Sequence, residues 1–146
     1  MRSNNPSGLS RFVEAQDKVY DQVLSELRSG RKTSHWMWFI FPQFAGLGSS
    51  DVSQFYAIKS MDEARAYLQH PILGPRLIEC SEAVLSVKHR SAHEIFGSPD
   101  DMKLKSCMTL FANISPAGSV FEKVLDQYYN GERDSRTLRL IDLRSE

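Results

Sequence analysis

Apolar residues recur at three- and four-residue steps along most of the chain. Phe12, Val19, Val23 and Leu27, with Gln16 in register and Val13, Tyr20 and Leu24 beside them, form a stripe across about five turns of one amphipathic helix. That helix is expected to start near Ser7 or Ser10 as N-cap and to end with Arg28, with Gly30 supplying the left-handed residue that follows. Ser60-Met61-Asp62-Glu63 has capping-box spacing and opens a helix reaching about His70. Pro71 bars simple continuation, and Leu73, Leu77, Cys80, Val84 and Val87 carry a new stripe to Lys88. Ser91-Ala92-His93-Glu94 repeats the capping box and opens a brief helix closed by Gly97. Ser98-Pro99-Asp100-Asp101 reads as a capping serine, a proline at the first helical position and two acids on the positive end of the dipole. Leu104, Cys107, Met108 and Phe111 give the helix that follows its buried face. Ser115-Pro116 starts another, with Val120, Phe121, Val124, Leu125 and Tyr128 inside and Asn130-Gly131 at its end, and Asp134 caps a last short helix through Thr137, Leu138 and Ile141. Only Trp36 to Phe41 and Gln54 to Ile58 could be strands, too few for an ordinary sheet. The pattern predicts a mainly α fold of six to seven helices.

Between the first two helical stretches lies Ser34 to Ser50, which holds both tryptophans and, with Phe55 just beyond, half of the phenylalanines. The apolar run Trp36 to Phe41 shows neither a two-residue alternation nor a helical stripe, so its periodicity fits a buried strand or a buried short helix. Either way it belongs in the interior, and the helices are expected to pack around it. Pro42 removes a backbone donor and Gly46 and Gly48 open backbone angles closed to other residues, so the chain leaves the core in a tight, irregular path.

A chain of 146 residues without linker or low-complexity run reads as one domain over 1–146, with 1–8 as a flexible leader. Eighteen basic residues balance eighteen acidic ones, which removes the electrostatic argument for nucleic acid or an anionic membrane as partner. The first residues lack a signal-type apolar stretch and no run reaches bilayer length, which makes the cytoplasm the expected location. Cys80 and Cys107 fall inside amphipathic patterns and read as reduced core thiols.

No motif carries a secure catalytic or cofactor reading, and no cofactor is implied. His35, Trp36, Trp38 and Gln43 are candidate pocket residues, the indoles stacking on a planar ring while imidazole and amide read its polar edges. Core packing explains the two tryptophans as well, whereas His35 and Gln43 bracket an apolar run and are less natural there. Asp101 and Lys103 place a carboxylate and an amine at a helix start, where capping is the plainer account of the acids. His89 and His93 are four apart, but Ser91 caps a helix between them and no third ligand is near, so no metal site is assigned. Cys107 as nucleophile lacks an identifiable base. Arg76 after Gly74-Pro75 suits an anion or a surface ion pair, and Arg28 to Lys32 suits a helix C-terminus better than an anion site.

Several motifs together support a family resemblance. His35 to Gln43, Gly46-Leu47-Gly48-Ser49, Glu63-Ala64 with Tyr67-Leu68, Leu73 to Leu77, Ile95-Phe96-Gly97, Asp101 to Leu104, Met108 to Phe111 and Asp134 to Leu138 resemble the bacterial and fungal family catalogued as domain of unknown function 1810. The resemblance spans nearly the whole chain and implies a largely helical domain without an established activity. Members are sometimes labelled calpastatin, though nothing in these residues suggests a protease inhibitor. A fainter similarity, in Phe55-Tyr56 with Lys59 and Met108 to Phe111 with Asn113, is to the NADAR or YbiA-like group, which acts on N-glycosidic bonds of ADP-ribose or riboflavin-pathway compounds. That group's glutamate before the tyrosine is missing, and Ser53-Gln54 stand there instead. The expectation is a pocket for a nucleotide-like or ADP-ribose-like small molecule, with N-glycosidic hydrolysis as its finer form and catalysis itself undecided. The alternative is a non-catalytic interaction or homodimerisation module.

Overall fold

The structure, a computed structural model, describes residues 8–145. Ten helices are present among them: α1 (Ser10–Asp17), α2 (Tyr20–Ser29), α3 (Met37–Ile40), α4 (Asp51–Phe55), α5 (Met61–Gln69), α6 (Leu73–Leu85), α7 (Ala92–Phe96), α8 (Asp100–Ala112), α9 (Val120–Tyr129) and α10 (Ser135–Ser145). The mainly α expectation holds, with more and shorter helices than the six to seven predicted. Except for Gly8, the expected leader lies outside the described residues, as does Ser7 as a cap.

The excess has local causes. The first stripe is two helices, because Val19 leaves helical geometry at φ −135° and the chain turns there. The turn lets α1 pack on α3 and α2 pack on α6. Trp36 to Phe41 resolves to the single turn α3, and Gln54 to Ile58 splits between α4 and an extended residue, Ile58. Ser98 does not cap α8. Pro99 takes the N-cap position without a side-chain bond, and the Asp101 amide donates to the Gly97 carbonyl at 2.9 Å. The helix after Ser115-Pro116 starts later, at Val120, because Ser119 accepts from the Glu122 amide at 3.3 Å while the Ser115 hydroxyl donates back to the Phe111 carbonyl.

Other signals act as read. Gly30 sits at φ 78° behind α2, Ser60 and Ser91 accept from the Glu63 and Glu94 amides, and Asp134 accepts from the Thr137 amide at 2.9 Å. The Ser91 capping box is complete. In the Ser60 motif the Glu63 carboxylate reaches one residue further and accepts from the Lys59 amide at 2.8 Å.

The aromatic run is interior at Trp36, Met37, Ile40 and Phe41, but the element enclosed on all sides is α8, buried at every position from Leu104 to Ala112. A helix buried all round needs neighbours on every side, and α5, α7, α9 and α10 supply them. Rings connect the layers: Phe12, Tyr67, Phe111 and Phe121 follow one another at centroid separations of 5.1, 5.5 and 5.8 Å across α1, α5, α8 and α9. At the α5–α6 corner the backbones touch so closely that a Cβ on Gly74 would lie 2.1 Å from the Leu68 carbonyl oxygen.

Candidate functional site

Two short extended segments meet just after α3. Phe44 and Ile58 form an isolated parallel bridge, with the Ala45 amide donating to the Ile58 carbonyl at 2.8 Å and the Ile58 amide donating to the Gln43 carbonyl at 2.9 Å. Extended chain alternates its side chains. Burying Phe44 and Ile58 therefore turns Gln43, Ala45, Ala57 and Lys59 to the other face, where they line a cleft of about 250 Å³. Each row of this floor sets one functional side chain beside an alanine, Gln43 with Ala57 and Ala45 with Lys59, and the alanines leave room above.

Trp38 of α3, Ser53 and Gln54 of α4, Tyr56, Gly46 and Gly48 complete the lining together with part of Phe44. Gly46 takes φ +106° with the Leu140 side chain of α10 packed against it. A Cβ on Gly48 would meet that of Ser53 at 2.5 Å, so the loop and α4 are in direct contact.

Buried and half-buried polar groups hold this frame. Arg11 donates to the carbonyls of Phe55 at 2.7 Å and Ala57 at 3.0 Å, and it pairs with Glu63 at 3.5 Å. With Glu63 also accepting from the Lys59 amide, residues 55–59 are fastened at three points. Gln16, itself buried, donates to the Phe39 carbonyl at 2.7 Å and to the Tyr67 hydroxyl at 3.0 Å, tying α3 to α1 and α5.

The two tryptophans diverge. Trp36 is 1% exposed, and its indole N–H donates to Glu26 at 2.9 Å. The same carboxylate accepts from the Thr33 and Ser34 amides, the Ser34 hydroxyl and the Gln22 side chain. Burial pushes the Glu26 carboxyl up, but the bonds from Ser34, Thr33, Gln22 and Trp36 outweigh it and hold the group far below the usual carboxylate range. Trp38 is half-buried, lines the cleft, and carries the Lys103 ammonium 5.1 Å from its ring centroid.

Of the six candidate residues, then, only Trp38 and Gln43 line the cleft. Lys103 stands behind Trp38 and pairs with Asp100 at 3.6 Å, the other oxygen of which meets Lys32 at 2.9 Å. Asp101 faces His93 at 3.4 Å and accepts from the Met102 amide, so it is turned to α7. His35 is exposed and outside the lining, and Trp36 is core. The reading of the sequence missed Phe44, Ala45, Ser53, Gln54, Tyr56, Ala57 and Lys59 as lining residues. A signal was there, since Gln43-Phe44-Ala45 and Ala57-Ile58-Lys59 both place one large apolar residue between small or polar ones.

The remaining candidates have structural partners. Arg76 pairs with Asp17 at 2.9 Å and lies 4.8 Å from the Tyr20 ring centroid. Cys80 and Cys107 are buried and unbridged, and burial pushes Cys80 up to about 12 and Cys107 well above the ordinary thiol value. Among the described residues no three His, Cys, Asp or Glu side chains group to hold a metal ion, and no helix is long and apolar enough to cross a membrane.

The chain is similar to a solved structure, the conserved hypothetical protein Rv1873 from Mycobacterium tuberculosis. The two are 54% identical, with 94% of this chain and 99% of that chain covered and a TM-score of 0.92. No curated protein matches the chain. The NADAR-like and calpastatin associations find no support in these comparisons. The family model described as "Protein of unknown function (DUF1810)" matches residues 6–141, and the chain belongs to that family.

Proposed function

We propose that this chain is a small-molecule-binding domain whose cleft takes one planar, hydrogen-bonding ring of the kind found in nucleotides. The observation that supports the reading is the meeting of Trp38 and Gln43 in one concavity, which Tyr56, Ser53 and Gln54 also line. An indole wall favours a flat π-system, and a side-chain amide offers a donor and an acceptor to its edge. At about 250 Å³ the cleft is smaller than the ~300–1,000 Å³ of pockets for drug-sized ligands, so it holds a single ring system. The rest of an ADP-ribose-like molecule would lie outside the rim. Binding is a better account than N-glycosidic hydrolysis, because no carboxylate is among the described lining residues to act as acid or base.

Thermal-shift and calorimetric titration with adenosine, nicotinamide, their nucleotides and ADP-ribose test the reading. Stabilisation that disappears in Trp38→Ala and Gln43→Ala, and persists in His35→Ala, is expected. No stabilisation by any of them would overturn it.

A further inference from the structure

Resting on that reading, we infer that the ligand of the cleft carries a second ring: a neutral, flat group, tethered to the first, that lies in a neighbouring groove lined by Phe39, Phe55 and Tyr56. The groove, of about 390 Å³, adjoins the cleft at Tyr56, which lines both. The same two short helices furnish both hollows. Consecutive side chains on a helix point about 100° apart, so one helix can serve two neighbouring concavities. Thus α3 gives Trp38 to the cleft and Phe39 to the groove, while α4 gives Ser53 and Gln54 to the cleft and Phe55 to the groove.

The groove is aromatic and held in place. Phe39 and Phe55 meet Tyr56 at centroid separations of 5.3 and 4.8 Å, and the buried Phe12 ring lies 5.7 Å from it. Phe55 is nonetheless 56% exposed, and α4 buries none of its side chains. Its backbone fixes it instead, because Arg11 donates to the Phe55 carbonyl at 2.7 Å and to the Ala57 carbonyl at 3.0 Å. A ring displayed to water on an anchored main chain is preorganised to cover another ring, so the apolar area gained is not spent on ordering the site. Charge makes the second group neutral: Glu14 and Lys18, four apart at the end of α1, line the groove with opposite signs, and Arg11, which also lines it, pairs with Glu63 at 3.5 Å. The cleft itself holds one ring system, so a second must sit beyond it, and the groove sharing Tyr56 is the adjoining place for it.

Two ligands that differ by the second ring separate this inference from the one beneath it. Reduced nicotinamide adenine dinucleotide, whose nicotinamide ring is neutral, is compared with ADP-ribose by calorimetry on the full chain. The two-ring ligand is expected to bind about tenfold or more tightly, the gain from tethering a second contact to the first. Phe55→Ala is expected to abolish that advantage while leaving the affinity for ADP-ribose unchanged, and Phe55→Trp to retain it. Equal binding of the two ligands, or an advantage that survives Phe55→Ala, overturns the inference and leaves the ring-binding reading standing. Self-association in sedimentation that Phe55→Ala removes, with no advantage for the two-ring ligand, also overturns it and assigns the groove to a second copy of the chain. Binding of neither ligand overturns both.

Discussion

The indole N–H of Trp36 and the carboxylate of Glu26 meet at 2.9 Å inside the protein, and this bond anchors the start of the segment that ends at the cleft. Glu26 also gathers the Thr33 and Ser34 amides, the Ser34 hydroxyl and the Gln22 amide, so one carboxylate orders the whole turn between α2 and α3. Replacing it by glutamine puts an NH2 group against donors. Glu26→Gln is expected to destabilise the fold by about 2–4 kcal/mol, read as a lowered midpoint in urea.

The same bonds predict a pH effect. Glu26 has its folded pKa depressed, so its stabilising contribution is present above the unfolded value of about 4.3 and is lost as pH falls below that toward the folded value. Urea midpoints measured from pH 7 down to 3 should drop in the wild type and drop less in Glu26→Gln. Parallel curves for the two proteins would count against this account.

Two tryptophans separated by one residue should respond oppositely to truncation. Trp36→Ala removes a buried ring and orphans Glu26, costing about 3–5 kcal/mol, a large share of the ~5–15 kcal/mol by which a domain is stable and read as a much lowered urea midpoint. Trp38→Ala removes a half-buried wall and should leave far-UV circular dichroism intact while abolishing ring binding. Ala57→Leu provides a complementary check, since it fills the cleft without touching a polar group.

The α5–α6 corner depends on glycine for contact. A Cβ at position 74 would fall 2.1 Å from the Leu68 carbonyl oxygen, a backbone atom that cannot rotate away. Gly74→Ala should separate the two helices and cost more than about 2 kcal/mol, seen as a melting temperature several degrees lower. An unchanged melting temperature would mean that the corner is looser than this geometry.

Thiol chemistry should report unfolding only. With both thiols buried and Cys80 held at about 12, a thiol reagent at pH 8 should label neither cysteine in the native protein and both in denaturant. Rapid native labelling of Cys107 would revive it as a nucleophile.

How much of this was readable from the chain varies with the range of the interaction. Helix ends governed by residues three or four apart, such as Ser91 with Glu94 or the glycine after α2, could be read directly because the partners share one turn. Ser98 failed as a cap because the Gly97 carbonyl takes the Asp101 amide, a local competition that residue type alone does not reveal. The break between α1 and α2 is invisible to periodicity, since both helices keep the stripe and differ only in which neighbour they face.

The sequence by itself determined that the protein is helical, that most of its aromatic run is interior, and several helix ends, such as both ends of α5 and α7, because hydrophobic spacing and capping are short-range physics. Which tryptophan is core and which is wall, and that Gln43 rather than His35 reaches the cleft, was decided only when Phe44 paired with Ile58 and Glu26 closed on Trp36. Those contacts join residues ten to fourteen positions apart along the chain, and their direction follows from packing against α1, α5 and α8, which no local pattern encodes.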